Sequence, residues 1–532
     1  MSRSAPLLDL RQHPELRLIL VGFALFLLFA AICYWSMPSL VHQGWDSLEN
    51  AYEIENNPIP LRWGNHPLGH LIQSLIYRVA IYFGYDDRAL RLLQIVNVLA
   101  TAAAVVTLFV ILVRRMAVNI TQAAGWATFF GSGYSIIYFA GIAEIYSLSL
   151  LLLLIAWNSV LLAVTRPEAY RLIVAGVLIG VAGLAHQFSG ILLGTVVVMG
   201  FFYLPRKSTV ILVGVMLSTL VLGYGLLAYL ATDSLAPGEL FIWIRKYVGE
   251  SSFGRSFSLE GVRLAMDSGT QSLIKGTETG SHLLRTLLLG IIALILISLP
   301  LQRRLWTFAR IQTGLYCAFP VLIGVLLIIW WDPVLEGKWW LLVAPFLTAM
   351  LALGLPDNRR WVRFVPMSLA LSVLLINQLG LQDKHGLQYI HNRDLVFERS
   401  LQAWVDHSSP GDVLYESKMF TEHLLYLANR PETISAHLLI YDNHDIKNPY
   451  RPLEKAIKDA WDRGASVLYT NGLNEYYDDD RLAVVGASRD GLDAFFRAYG
   501  HEGPVFEYRE TLNGPLKQVF RLVPPISREP DS

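Results

Sequence analysis

Residues Leu90–Arg115 read LRLLQIVNVLATAAAVVTLFVILVRR, a long apolar run that stops on two arginines. A helix needs about 20 apolar residues to cross the hydrocarbon core of a bilayer, so 90–113 is predicted to span a membrane. Arg114 and Arg115 then mark the cytoplasmic end, because short loops rich in Lys and Arg are retained inside. Working outward from this run, ten further segments reach or approach spanning length: 18–40, 120–140, 146–164, 170–187, 188–204, 209–231, 285–301, 312–331, 339–355 and 364–381.

Composition agrees. The 532 residues are 54% hydrophobic and 16% charged, and the mean hydropathy is +0.42, too apolar for a soluble chain of this size. The 43 basic and 43 acidic residues cancel, so global charge points to no nucleic acid partner. Cys33 and Cys317 both lie in apolar runs and read as small hydrophobes, not as a disulfide or metal framework. The first span follows Arg3, Arg11 and Arg17 and lacks an A-x-A cleavage pattern, which reads as a retained helix.

The basic residues set the orientation. With the N-terminus inside, the inner segments collect Arg114, Arg115, Arg166, Arg171, Arg206, Lys207, Arg303, Arg304, Arg310, Arg359, Arg360 and Arg363, whereas the short outer turns hold one cation, Lys338. Residues 42–89, the loop 232–284 and everything after about 382 fall outside. The stretch 67–85, with His70, Gln73 and Arg78, fits a helix lying along the interface; a crossing there would put Arg114 and Arg115 outside. The expected fold is thus mainly α, a polytopic helical bundle of about 11 spans over residues 1–381, followed by a soluble α/β domain over 382–532. In that second part, strand-like Val413–Tyr415, Ser466–Thr470 and Gln518–Val523 alternate with helix-like Met419–Ala428, Leu453–Arg463 and Gly491–Tyr499. No phosphate-binding glycine motif occurs there.

The candidate chemistry gathers on the outer side. Asp46 and Glu49 are spaced i, i+3, with Glu53 one turn on, so a helix would align three carboxylates; the same spacing also suits a capping box with no further role. His66 and His70 sit four apart in His66-Pro67-Leu68-Gly69-His70. They read as structural histidines at headgroup depth, as hydrogen-bond partners of phosphate or sugar, or as two metal ligands if Asp46 or Glu49 supplies a third. Glu144 and Tyr146 occupy a tight turn between two spans, where an acid also suits a helix N-terminus, and His186 reaches the same depth from another span. Lys338, flanked by Trp339 and Trp340, reads either as a grip on a lipid phosphate or as a lysine snorkelling in an aromatic belt. Arg245 and Lys246 lie among aromatics in the loop 232–284.

In order and spacing these pieces resemble the GT-C superfamily of polytopic glycosyltransferases. The nearest likeness is to a bacterial multi-pass group related to a eukaryotic transmembrane protein O-mannosyltransferase. The group's D-x-G-E, H-P-P-G, E-V-Y and G-L-x-x-x-H are met by Asp46-Ser47-Leu48-Glu49, His66-Pro67-Leu68-Gly69, Glu144-Ile145-Tyr146 and Gly183-Leu184-Ala185-His186. Leu48 replaces a Gly and Leu68 a Pro, and the match covers residues 44–190.

The resemblance implies an inverting transfer from a polyprenyl-phosphate-linked sugar to a protein, lipid or glycan acceptor on the periplasmic face of the bacterial cytoplasmic membrane. Asp46 would be the general base, with Glu49 a second acid or its cap partner, and Lys338, Arg245, Lys246 and His186 would stabilise the phosphate leaving group. No cofactor is required by that chemistry, and the carboxylates leave room for a divalent metal. Two other readings use the same residues: a flippase for a lipid-linked glycan, and a polysaccharide polymerase or ligase. The spans show no repeated halves and few buried charges, which weighs against transport.

Overall fold

The computed structural model describes residues 13–37, 45–57, 59–60, 66–234, 236–238, 258–275, 308–331, 337–355, 360–385, 402–409, 412–416, 434–435, 448–470, 487–508 and 517–524, with Thr286, Gly290 and Arg399 besides. It divides into two compact units: residues 1–37 with 53–384, and residues 38–52 with 385–532.

The first unit is a helical bundle. Among the described residues five helices are long and apolar enough to cross a membrane: α1 (Pro14–Trp35), α4 (Ala89–Arg114), α7 (Tyr146–Thr165), α10 (Arg206–Thr232) and α12 (Phe308–Trp331). Shorter apolar helices are α8 (Ala169–Ala185), α9 (Gly190–Tyr203) and α13 (Lys338–Gly354), and α14 (Val365–His385) shares a shorter apolar stretch, Val362–Gln378. The remaining elements are α3 (Pro67–Tyr82), α5 (Ile120–Gly131), α6 (Tyr134–Gly141) and α11 (Leu259–Leu273), together with the end of α2 (Trp45–Asn56). The chain is an integral, multi-pass membrane protein. One continuous core runs from Phe29 through Trp126 and Trp157 to Phe346, all fully or almost fully buried.

The structure departs from the sequence expectation in two places. The segment 120–140 is not one span but two short helices, α5 and α6, parted at Ser132–Gly133. The freed backbone is satisfied: the fully buried Asn377 donates from Nδ2 to the Ser132 carbonyl at 2.8 Å, which is what permits a broken helix inside a bundle. Second, Trp45 is already helical, so Asp46 stands inside α2 and not at its cap. Asp46, Glu49 and Glu53 do share one helix at i, i+3 and i+7. The expected span 285–301, apart from Thr286 and Gly290, lies outside the described residues.

α3 is 16 residues long and is not among the spanning helices. At the foot of the α2–α4 region, Glu55 accepts from the Ala89 backbone N–H at 2.7 Å and pairs with Arg88 at 3.0 Å, a carboxylate closing the N-terminus of α4.

The second unit contains a five-stranded sheet in the order β2-β1-β3-β5-β4. Its strands are β1 (Val413–Glu416), β2 (Ile434–Ser435), β3 (Val467–Thr470), β4 (Gly500–Tyr508) and β5 (Lys517–Val523). β1 pairs in parallel with β2 and β3, and β5 runs antiparallel to β3 and β4. α15 (Arg451–Asp462) and α16 (Arg489–Arg497) cover the sheet through Leu453, Ile457, Leu492 and Phe496. The expected α/β pattern is therefore present. β4 escaped the sequence reading because Pro504 interrupts it and the register slips between Glu502 and Phe506; the helix-like Met419–Ala428 lies outside the described residues.

Candidate active site

The site is built at one end of the bundle, where α3 begins and α8 ends. Pro67 occupies the first turn of α3 and His66 its cap, a position where proline's missing N–H costs nothing. Gly69 allows the approach of α3: a Cβ there would lie 2.9 Å from the Ala185 carbonyl and 3.3 Å from Ile145 Cγ2. Only a residue without a side chain lets this turn rest on the end of α8. The consequence is that His66 and His70 meet His186, the residue that caps α8. The ring centroids of His66 and His70 are 4.6 Å apart, and those of His66 and His186 5.7 Å.

The chain between α6 and α7, residues 142–145, is not helical, and its carbonyls are held from two helices. Gln94 Nε2 donates to Gly141 O at 2.9 Å, Asn97 Nδ2 to Ile142 O at 2.6 Å and also to Glu144 O, and Gln73 Nε2 to Glu144 O at 3.2 Å. All three donors are buried, so losing one would cost a hydrogen bond in a dry interior. They fix the turn that delivers the half-buried Glu144 and, one step on, Tyr146. Tyr146 then packs on His186 at 5.3 Å, and Trp339 packs on both His186, at 5.5 Å, and Phe188, at 5.0 Å.

Lys338 completes the group. Gly337, in the left-handed region at φ 71°, turns the chain into α13, and a Cβ there would lie 2.7 Å from Ser135 Oγ. The Lys338 ammonium stands over the rings of Tyr146, at 5.7 Å, and Trp339, at 5.9 Å. Such cation–π contacts help hold a charge in place.

Electrostatics follow from this burial. His66 is held well below the usual histidine range, first by burial and then by the charges of His70, His186 and Lys338. Burial pushes His70 down to about 4, and burial together with Lys338 pushes His186 down to about 3. At neutral pH the three imidazoles are uncharged, so Lys338 carries the charge and the histidines offer one N–H donor and one acceptor nitrogen each. His186 uses Nδ1 to accept from the Phe188 backbone N–H at 3.1 Å, which leaves the proton on Nε2. A fixed cation among neutral donors is a setting for a phosphate or for sugar hydroxyls.

Two features were not found from sequence. Lys275 lies over the Tyr134 ring at 4.9 Å, and Tyr134 stacks on Tyr138 at 5.6 Å. Its backbone is tied by Asn377, which accepts from Lys275 N at 3.1 Å and donates to Leu273 O at 2.8 Å. Asn377, like Gln94 and Asn97, is an amide inside an apolar helix, and that intramembrane polarity was the available signal. Beside Trp340 an apolar cavity of about 250 Å³ runs between α5, α6, α11, α12 and α13, lined among others by Phe130, Ile136, Met266, Leu273 and Val325.

Of the residues expected from sequence, His66, His70, Tyr146, His186 and Lys338 come together, with Glu144 in the adjoining turn. The side chains of Asp46 and Glu49, and all of Arg245 and Lys246, lie outside the described residues. Among the described residues no group of three or more His, Cys, Asp or Glu side chains is arranged to hold a metal ion.

A scan of protein-family models finds no match, and neither does a comparison with curated proteins. Solved structures do match over nearly the whole chain. ArnT from Cupriavidus metallidurans, bound to undecaprenyl phosphate, superposes with a TM-score of 0.57 at 10% identity, covering 94% of this chain and 97% of that one. The oligosaccharyltransferase of Archaeoglobus fulgidus, in complex with Zn and sulfate, gives 0.50 at 13% identity, covering 93% and 72%. The same enzyme tethered to an acceptor peptide gives 0.50 at 13% identity, covering 93% and 74%. The chain shares its fold with ArnT and with this oligosaccharyltransferase.

Proposed function

We propose that this protein is a membrane glycosyltransferase that takes a sugar from a polyprenyl-phosphate donor and delivers it to an acceptor on the periplasmic side of the bacterial cytoplasmic membrane. The observation that carries the reading is Lys338, a cation held by Tyr146 and Trp339 beside the neutral His66–His70–His186 group, in a fold shared with a protein bound to undecaprenyl phosphate. The motif order over residues 44–190 adds support, as does the likeness to the O-mannosyltransferase-related group.

In this reading the Asp46 carboxylate accepts the proton of the acceptor hydroxyl as its oxygen attacks the anomeric carbon. Glu49 assists on the same helix. The bond between the sugar and the phosphate oxygen breaks on the opposite face, which inverts the configuration, and the electron pair leaves on the lipid phosphate. Lys338 stabilises that charge, and Arg245 and Lys246 are further cations for it. His66, His70 and His186, being uncharged, donate hydrogen bonds to phosphate or sugar without competing for the acceptor proton. Glu144 and Tyr146 line the sugar side. The cavity beside Trp340 suits the hydrocarbon chain of the donor.

In proteoliposomes with a defined polyprenyl-phosphate sugar, wild-type protein is expected to form product and Asp46→Asn to form none while remaining folded. Lys338→Gln should raise the donor KM about tenfold or more, the weight of a charge-assisted hydrogen bond. Undiminished transfer by Asp46→Asn removes that residue from the base role. Movement of labelled donor between leaflets with no acceptor product would make the protein a transporter.

A further inference from the structure

At the end of the bundle away from the histidines, three helix termini bring arginines to one corner. Arg114 ends α4 and Arg115 caps it, Arg166 caps α7, and Arg171 lies in the first turn of α8. α7 has 20 residues, so at about 1.5 Å per residue this corner lies about 30 Å from Tyr146, roughly the thickness of the hydrocarbon core.

Arginines at helix C-termini and inner loops are common, and most need only stay in water. Two of these do more. Arg115 is half-buried and is fixed by Asn158 on α7, whose Oδ1 accepts from its Nε at 2.8 Å. The Arg171 side chain is only 16% exposed and sits over the Tyr170 ring at 5.3 Å, and its Nη1 is buried with no hydrogen-bond partner among the described residues. Among the described residues two carboxylates answer the four guanidinium groups: Glu15 pairs with Arg114, and Glu168 with Arg171 at 3.4 Å. Among these residues positive charge is therefore left over. Burial and then the charges of Arg114, Arg171 and Arg166 all disfavour the charged form of Arg115.

The neighbouring surface is apolar. Tyr170 is 58% exposed, and along the same helix Ile173, Val174 and Val177 are 45%, 49% and 38% exposed. A cationic corner continuous with an uncovered hydrocarbon-facing strip matches a molecule with an anionic head and apolar chains.

We propose that Arg114, Arg115, Arg166 and Arg171 bind the phosphodiester headgroup of an anionic phospholipid in the leaflet opposite the candidate active site, with its acyl chains along Ile173, Val174 and Val177. The headgroup offsets the mutual repulsion of the guanidiniums and fastens the ends of α4, α7 and α8 to one another. The site does not depend on the catalytic reading.

The test uses the full-length chain in nanodiscs of phosphatidylcholine with and without phosphatidylglycerol, read by thermal unfolding and by lipid retention in native mass spectrometry. Wild-type protein is expected to unfold several degrees higher with phosphatidylglycerol and to retain it. In Arg115→Gln/Arg171→Gln that increment disappears, and retention weakens about thirtyfold, from roughly fivefold per basic residue at a membrane surface. Arg363→Gln, a basic residue outside the cluster, keeps both. The proposal fails if wild-type protein unfolds alike in the two membranes, if the double variant keeps the increment, if Arg363→Gln loses it equally, or if inorganic phosphate in phosphatidylcholine stabilises as well as the lipid does. Should the double variant not fold, Arg115→Gln alone is read by the same criteria, with a retention loss of about fivefold.

Discussion

Replacing Gly69 by alanine tests the construction of the site at its tightest point. The added Cβ would lie 2.9 Å from the Ala185 carbonyl oxygen and 3.3–3.4 Å from Ile145. The first is a backbone atom at the end of α8, so relief requires the start of α3 to move away from that helix end. Overpacking of this kind costs about 1–3 kcal/mol. The same shift parts His66 and His70 from His186, and a misplacement of about 1 Å among positioning groups lowers rates by about 100-fold. Gly190, at the start of α9, has nothing within 4 Å of its Cβ position, and alanine there should be neutral or stabilise by up to about 1 kcal/mol through helix propensity. The assay is thermal unfolding in detergent for both variants, followed by donor turnover in proteoliposomes. Gly69→Ala is expected to unfold several degrees lower and to lose most of its turnover, and Gly190→Ala to match wild type. Equal behaviour of the two variants would refute the packing argument.

Two further outcomes follow from burial. His70 has a folded pKa of about 4 against an ordinary 6.5, so the unfolded chain binds more protons between these values. The stability tied to the neutral ring is complete above pH 6.5 and is lost as pH falls toward 4, by about 3 kcal/mol. Unfolding temperature measured across that window should fall on acidification, and His70→Gln should reduce the slope; an unchanged slope in the variant would remove His70 as its source. Asn97→Leu removes the side-chain donor to the Ile142 carbonyl and one of the two to the Glu144 carbonyl and should destabilise by about 1–3 kcal/mol, with turnover falling because the 142–145 turn carries Tyr146. Wild-type stability and turnover in that variant would show that the turn holds its shape unaided.

Much of the architecture was legible because a bilayer imposes length and polarity on each segment independently. The runs 18–40, 90–113, 146–164, 209–231 and 312–331 each overlap most of one of the five long apolar helices found among the described residues. The break at Ser132–Gly133 was not legible, since the group that satisfies it, Asn377, is 245 residues away. Strand β4 was hidden by Pro504 for a local reason. His66, His70, Tyr146, His186 and Lys338 could be named as candidates from type and spacing, yet nothing in the chain said that Lys338 would stand over Tyr146 or that Lys275 would rest on Tyr134.

By itself the sequence determined the membrane class, the approximate spans and the residue types available for chemistry, because hydrophobic burial and charge retention act on short windows of chain. Which of those residues meet was decided only by tertiary structure. Gly69 against Ala185, Gly337 against Ser135, and the amides of Gln73, Gln94 and Asn97 on the carbonyls of Gly141, Ile142 and Glu144 are contacts between distant segments. Their free energy exists only once the helices pack, and it is that packing which turns three histidines, a lysine and two aromatic rings into one site.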